Sequence, residues 1–225
     1  MHPSRRPASA HKVPQEESFL TRPSVRIHVP DDLKSILVDD WENVTKNLQL
    51  VSLPSQTPVS QIMDEYYGQE KVKRREGSAE YDILEEMIQG VKVYFDQCLG
   101  KVLLYRFERE QWRQLYERMQ DPKDELVGKL PSDVYGAEHL LRLFGMCDYM
   151  SNLVESSVST QLTLTPVKMP ELIAQTNMDQ QSVSRLREEL SKIMLWLAKP
   201  QAIKKYFSVE YENVSSEYME KFREH

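Results

Sequence analysis

The residue types that could carry out chemistry are few and scattered along the chain. Of the five histidines, His2 and His225 lie at the ends, His11 and His28 lie within the first 28 residues, and His139 stands alone in the body. Acid–base catalysis needs a donor and an acceptor held together within hydrogen-bonding reach of a substrate. Metal ligation needs several His, Cys or carboxylate groups at short spacing, and no His or Cys lies at that spacing from His139. Cys98 and Cys147 fall inside apolar helical patterns and read as buried free thiols. Carboxylate pairs such as Asp39-Asp40 and Glu85-Glu86 diverge by about 100° on a helix and cannot share a proton, so they read as solvated faces. No Gly-rich phosphate loop, His-Glu-x-x-His, Gly-x-Ser-x-Gly or Cys-x-x-Cys motif occurs. The expectation is a non-enzyme with no cofactor, no metal and no small-molecule substrate.

The elements around these residues are helical. Only seven glycines occur in 225 residues, too few for the turns of an all-β fold of this length. A first helix is predicted from Asp31, placed as N-cap after Pro30, with Leu33, Ile36, Leu37, Trp41, Val44 and Leu48 on one face. These span an arc of about 140°, and Val38 falls about 60° beyond its edge, next to Trp41. That surplus is wider than one packed face requires, so part of it is free to meet a partner. A second helix follows Pro58, with Val59, Ile62, Met63, Tyr66 and Tyr67 inward. The charged run from Lys71 to Gly77 reads as a solvated connector.

A long helix is predicted from Ala79 to Leu99, with Leu84, Met87, Ile88, Val91, Phe95 and Leu99 as its core face and Gly100 as its stop. The helix after Tyr135-Gly136 is apolar over some 240° of its circumference, from Leu140 to Val154, which marks it as the central one. His139 projects within that arc and reads as a core or groove-wall residue. Residues 161–165 read as a short strand or extended linker, with one short helix after Pro170. The last long helix, Ser182 to Lys199, carries a narrow stripe and is ended by Pro200. Trp196 points outside that stripe, with the Tyr206–Tyr218 tail as its expected cover. The fold class is therefore all-α, one helical domain with at most a short extended segment.

Charge divides the chain. Residues 1–28 carry five Arg or Lys against two Glu, while the whole chain is at −6, so the body is acidic. Nucleic-acid binding is a poor fit to an acidic body. Residues 1–24 read as a flexible basic leader. No signal peptide or 18-residue apolar run is present, which points to an intracellular, reducing setting without a membrane span.

The matching segments assemble into a resemblance. Val29-Pro30-Asp31-Asp32-Leu33-Lys34, Leu37-Val38-Asp39-Asp40-Trp41, Leu53-Pro54, Gly90-Val91-Lys92-Val93-Tyr94-Phe95, Leu99-Gly100, Leu103-Leu104-Tyr105-Arg106-Phe107-Glu108-Arg109 and Val134-Tyr135-Gly136-Ala137-Glu138-His139-Leu140-Leu141-Arg142-Leu143-Phe144 resemble the MRG (MORF-related gene) domain of chromatin-complex subunits. The resemblance covers about residues 25–220 and places the domain at 25–225. It implies an all-helical domain that binds short partner segments in a surface groove, one ligand class carrying a Phe-x-Leu-Pro type motif. It also implies a nuclear protein of histone acetyltransferase or histone deacetylase complexes, with indirect association with nucleosomes. Val29, Val38 and Trp41 match the family's groove residues, and Leu37, Tyr105, His139 and Arg142 complete the expected partner-binding set. Glu110 stands where the family usually has Pro, and residues 121–131 and 155–182 look longer than in the shorter animal members, as in fungal ones. No segment resembles the chromodomain that many members carry, so methyl-lysine recognition is not expected of this chain.

The leading expectation is a non-catalytic adaptor that recruits subunits into a histone-modifying complex. The rival is a purely structural helical scaffold fixed in a complex without peptide exchange. A helical enzyme would require a buried polar cluster, which the sequence does not suggest.

Overall fold

A computed structural model describes residues 27–145, 180–208 and 210–223. Helix α1 spans Asp31–Thr45. Its N-cap is Pro30, not Asp31, and the Pro30 carbonyl accepts from the Leu33 and Lys34 amides at 3.0 Å. Asp31 and Asp32 sit instead in the first turn, where carboxylates favour the positive end of the helix dipole. Leu48 lies beyond the helix in a left-handed turn with φ 55°, so the inward stripe ends at Val44.

Strand β1, Gln49–Val51, follows directly and pairs antiparallel with β2, Tyr211–Asn213. Residue Val51 faces Tyr211 and Leu50 faces Glu212. This two-stranded sheet was not expected from the sequence, because three-residue strands carry no readable alternation.

Helix α2, Val59–Lys71, and helix α3, Ala79–Cys98, form the main hairpin of the core. Ser78 caps α3 by accepting from the Tyr81 amide at 3.3 Å. Buried Val59, Ile62, Met63 and Tyr66 meet buried Leu84, Ile88, Val91 and Phe95 in one cluster. Gly100 does not stop α3. The chain continues through one π-helical turn, Leu99–Leu103, and a Cβ at Gly100 would sit 2.9 Å from the Trp112 indole nitrogen. The missing side chain lets helix α4, Arg109–Gln120, close onto that turn.

Helix α5 begins at residue 137, and its described part runs to residue 145. Every residue from 134 to 145 is buried, as a central helix requires. Two backbone bonds tie its entry to the loop before α2: Ser55 N to Val134 O at 2.8 Å and Val59 N to Tyr135 O at 2.9 Å. The remainder of the predicted central helix, with Cys147, and the predicted features at 161–179 lie outside the described residues. Cys98 is buried, as expected.

Helix α6 spans Gln180–Leu197 and ends ahead of Pro200 as expected, and Pro200 also opens a further helix, α7, Pro200–Tyr206. A proline at the first helical position has no amide that the helix would miss, so it starts a helix as readily as it stops one. Trp196 is covered as expected, edge-on to Tyr66 at 5.2 Å and against Tyr206 at 5.4 Å. Its indole N–H donates to Gln69 Oε1 at 2.9 Å. Helix α8, Ser216–Arg223, completes a second cluster in which Phe107 meets Tyr218 and Phe222 edge-to-face.

Candidate functional site

Two residues of α1 face outward where the sequence placed its surplus edge. Val38 is 55% exposed and Trp41 43% exposed, on a helix whose Leu33 and Val44 are fully buried. The Lys46 ammonium sits 4.7 Å from the Trp41 ring centre and pairs with Glu42 at 2.6 Å. An apolar pair rimmed by charge is a surface that a partner side chain can desolvate.

Behind that surface lies a cluster of buried charge. Asp40, Glu108, His139 and Arg142 are each no more than 2% exposed. Arg142 Nε and Nη2 donate to Asp40 Oδ2 and Oδ1 at 2.6 and 2.7 Å. Its Nη1 donates to Glu108 Oε2 at 2.6 Å and to the Leu103 carbonyl at 3.1 Å. The guanidinium also stacks over Tyr105, 4.2 Å from the ring centre. The Tyr105 amide donates to Glu108 Oε2 at 2.8 Å, and the Tyr211 hydroxyl donates to Asp40 Oδ1 at 2.8 Å. One guanidinium thus joins α1, the π-helical turn, the 3-10 turn Arg106–Glu108 and α5, and through Asp40 also β2.

The electrostatics follow from burial and neighbours. Burial alone would raise the Glu108 pKa, but the adjoining Arg142 guanidinium outweighs it and holds it at about 2. His139 is pushed down by burial and by Arg142, so it is neutral. A neutral imidazole 2.9 Å from an ionised Glu108 donates through Nε2, which leaves Nδ1 as an acceptor with no partner. Glu138, also buried, is raised to about 7 by its burial and by nearby Asp40. Asp40 is therefore not the solvated carboxylate that its sequence suggested, and a buried polar cluster does exist. It is sealed from solvent, so a substrate has no access to His139 or Glu108. Its chemistry is that of a clamp. Among the described residues, no group of three or more His, Cys, Asp or Glu could hold a metal ion.

The MRG family model matches residues 5–161 and 162–213. The chain belongs to the MRG family. Chromatin modification-related protein eaf3 of Aspergillus fumigatus is 51% identical over 216 residues, covering 96% of this chain and 58% of that protein. The Emericella nidulans protein of the same description gives the same identity and coverage. That of Yarrowia lipolytica is 43% identical over 212 residues, covering 94% of this chain and 47% of its own. The chain spans about half the length of the relatives it matches.

The partner-binding set expected from the MRG resemblance separates into layers. Val38 and Trp41 are exposed, Leu37 is half-buried on the same helix, and Tyr105 is half-buried beneath the Arg142 guanidinium. Val29 is wholly inside the core, and His139 and Arg142 lie in the sealed cluster. These three offer no surface to a partner, because the elements they hold together cover them. The sequence reading missed Asp40, Glu108 and Tyr211. Asp40 carried a signal: it follows Leu33 and Leu37 and precedes Val44 at the 4-3-4 spacing of the inward stripe.

Proposed function

We propose that this MRG chain is a non-catalytic adaptor subunit of a nuclear chromatin-modifying assembly, a histone acetyltransferase or histone deacetylase complex. In this reading a partner subunit docks a short apolar segment, of the Phe-x-Leu-Pro type, on the outer face of α1. Association with nucleosomes is then indirect. The observation that carries the reading is the outward pair Val38 and Trp41 on a helix anchored by buried charge at Asp40. The relatives described as chromatin modification-related support the assignment to chromatin.

The test is capture from nuclear extract by the immobilised chain, with bound proteins identified by mass spectrometry. The wild-type chain is expected to retain histone-modifying subunits, and Trp41→Ala to lose them while melting near the wild-type temperature. Turnover of acetyl-CoA or acetyl-lysine by the purified chain would sink the adaptor reading.

A further inference from the structure

Asp40 is the point where the outward face of α1 is set. On the helix wheel its side chain lies about 160° from Val38, so fixing Asp40 inward fixes Val38 and Trp41 outward. Arg142 holds it with two bonds at 2.6 and 2.7 Å. One turn earlier, Leu37 lies so close to Gly145 that any Cβ there would collide with it. Leu37 against Gly145 and Asp40 against Arg142 are thus two contacts, spaced by three residues on both helices. Together they define the rotation of α1 on α5.

A third hold comes from the far end of the chain. The Tyr211 hydroxyl shares Asp40 Oδ1 with Arg142 at 2.8 Å. Burial and the neighbouring Asp40 keep that phenol protonated, so it remains a donor. The backbone of Tyr211 pairs with Val51 in β1, which follows α1 after a short turn. Strand β2 therefore grips α1 twice: through a side chain on Asp40, and through the strand into which α1 leads.

We infer that Arg142 and Tyr211 are positioning residues for the α1 docking face, so that seating of β2 and docking on α1 are linked. The inference rests on the docking role proposed for that face, but its test needs no partner. A ligand that prefers one orientation of Trp41 must, by linkage, favour the seated state of β2 as well.

The test uses the full chain labelled with 5-fluorotryptophan. Its fluorine spectrum has three lines, from Trp41, Trp112 and Trp196, assigned by replacing each in turn with Phe. Tyr211→Phe is expected to shift or broaden the Trp41 line and leave Trp196 in place. Tyr206→Phe, which alters a ring 5.4 Å from Trp196, is expected to move Trp196 and not Trp41. Arg142→Lys keeps the charge but loses the two-pronged geometry, and is expected to reproduce the Trp41 change. Amide exchange should quicken in α1 of Tyr211→Phe while α2 and α3 stay at the wild-type rate. A Trp41 line unmoved by Tyr211→Phe, or three lines moving together, overturns the coupling. Either result leaves the adaptor reading standing, since that falls when the wild-type chain captures no histone-modifying subunit or itself turns over acetyl-CoA or acetyl-lysine.

Discussion

Arg142 of α5 and Asp40 of α1 form a two-pronged ion pair between residues 102 positions apart, with both side chains almost wholly out of solvent. Burying two charges is offset only when the remaining donors and acceptors are matched. Here Glu108, the Leu103 carbonyl and Tyr211 supply the matches. The consequence is a joint that tolerates loss of one member poorly.

Arg142→Met should cost roughly 3–5 kcal/mol in urea denaturation, because it leaves Asp40 and Glu108 buried without their counter-charge. Adding Asp40→Leu to it should cost less than the sum of the two single changes, since the pair couples them. Strict additivity would show that the two side chains are not one unit.

Phe144→Ala and Leu140→Ala should each cost about 2–5 kcal/mol, as both side chains are fully buried in the central helix. Values below about 1 kcal/mol for both would place α5 at the periphery.

Val38→Asp should change stability by no more than about 0.5 kcal/mol, because the side chain already faces water. The same change should weaken partner binding by about 2 kcal/mol or more, measured by calorimetry against a captured subunit. A large drop in melting temperature would mark Val38 as structural.

Glu138→Gln should flatten the pH dependence of stability between about 4.5 and 7. The folded carboxyl titrates at about 7 against an ordinary 4.5, so protonation favours the folded state. Stability from this group is fully present below 4.5, falls as pH rises through that window, and is lost above 7. Glutamine should therefore stabilise the chain at pH 8 by up to about 3 kcal/mol. Glu108, held at about 2, acts in the opposite sense: its contribution is present above 4.5 and is lost as pH falls towards 2. An unchanged pH profile in Glu138→Gln would show that the group stays ionised in the fold.

Gly145→Ala should destabilise by about 1–3 kcal/mol, since its methyl group would press on Leu37 and displace α1. A neutral melt with unaltered Trp41 fluorescence would show that the two helices can part without cost.

The apolar stripe of α1 was legible because its 3.6-residue period is long enough to fix both an inward and an outward face. Val38 and Trp41 followed from that geometry alone. Asp40 stands beside exposed Asp39 and on the inward stripe at once, and it is the stripe, where a charge implies a buried counter-ion, that decides its burial. Arg142 gave the complementary signal, a cation in a helix otherwise apolar most of the way round. Their partnership was not legible, because nothing local relates positions 40 and 142. Tyr211 lies in a three-residue strand with no period to read. The π-helical turn through Gly100 depends on Trp112 closing onto it, and the start of α7 was not legible because a proline that ends one helix can open the next.

The pairing of residues 49–51 with 211–213 also sets an order of events during synthesis. Synthesis runs from the N-terminus, so Asp40 of α1 emerges 171 residues ahead of the tyrosine that completes the hold on it. Contacts this distant in sequence close late, because the entropy of a long loop must be overcome first. A nascent chain stalled between residues 45 and 211 would carry α1 without that hold, so the face proposed for docking reaches its final seating only once Tyr211 has emerged.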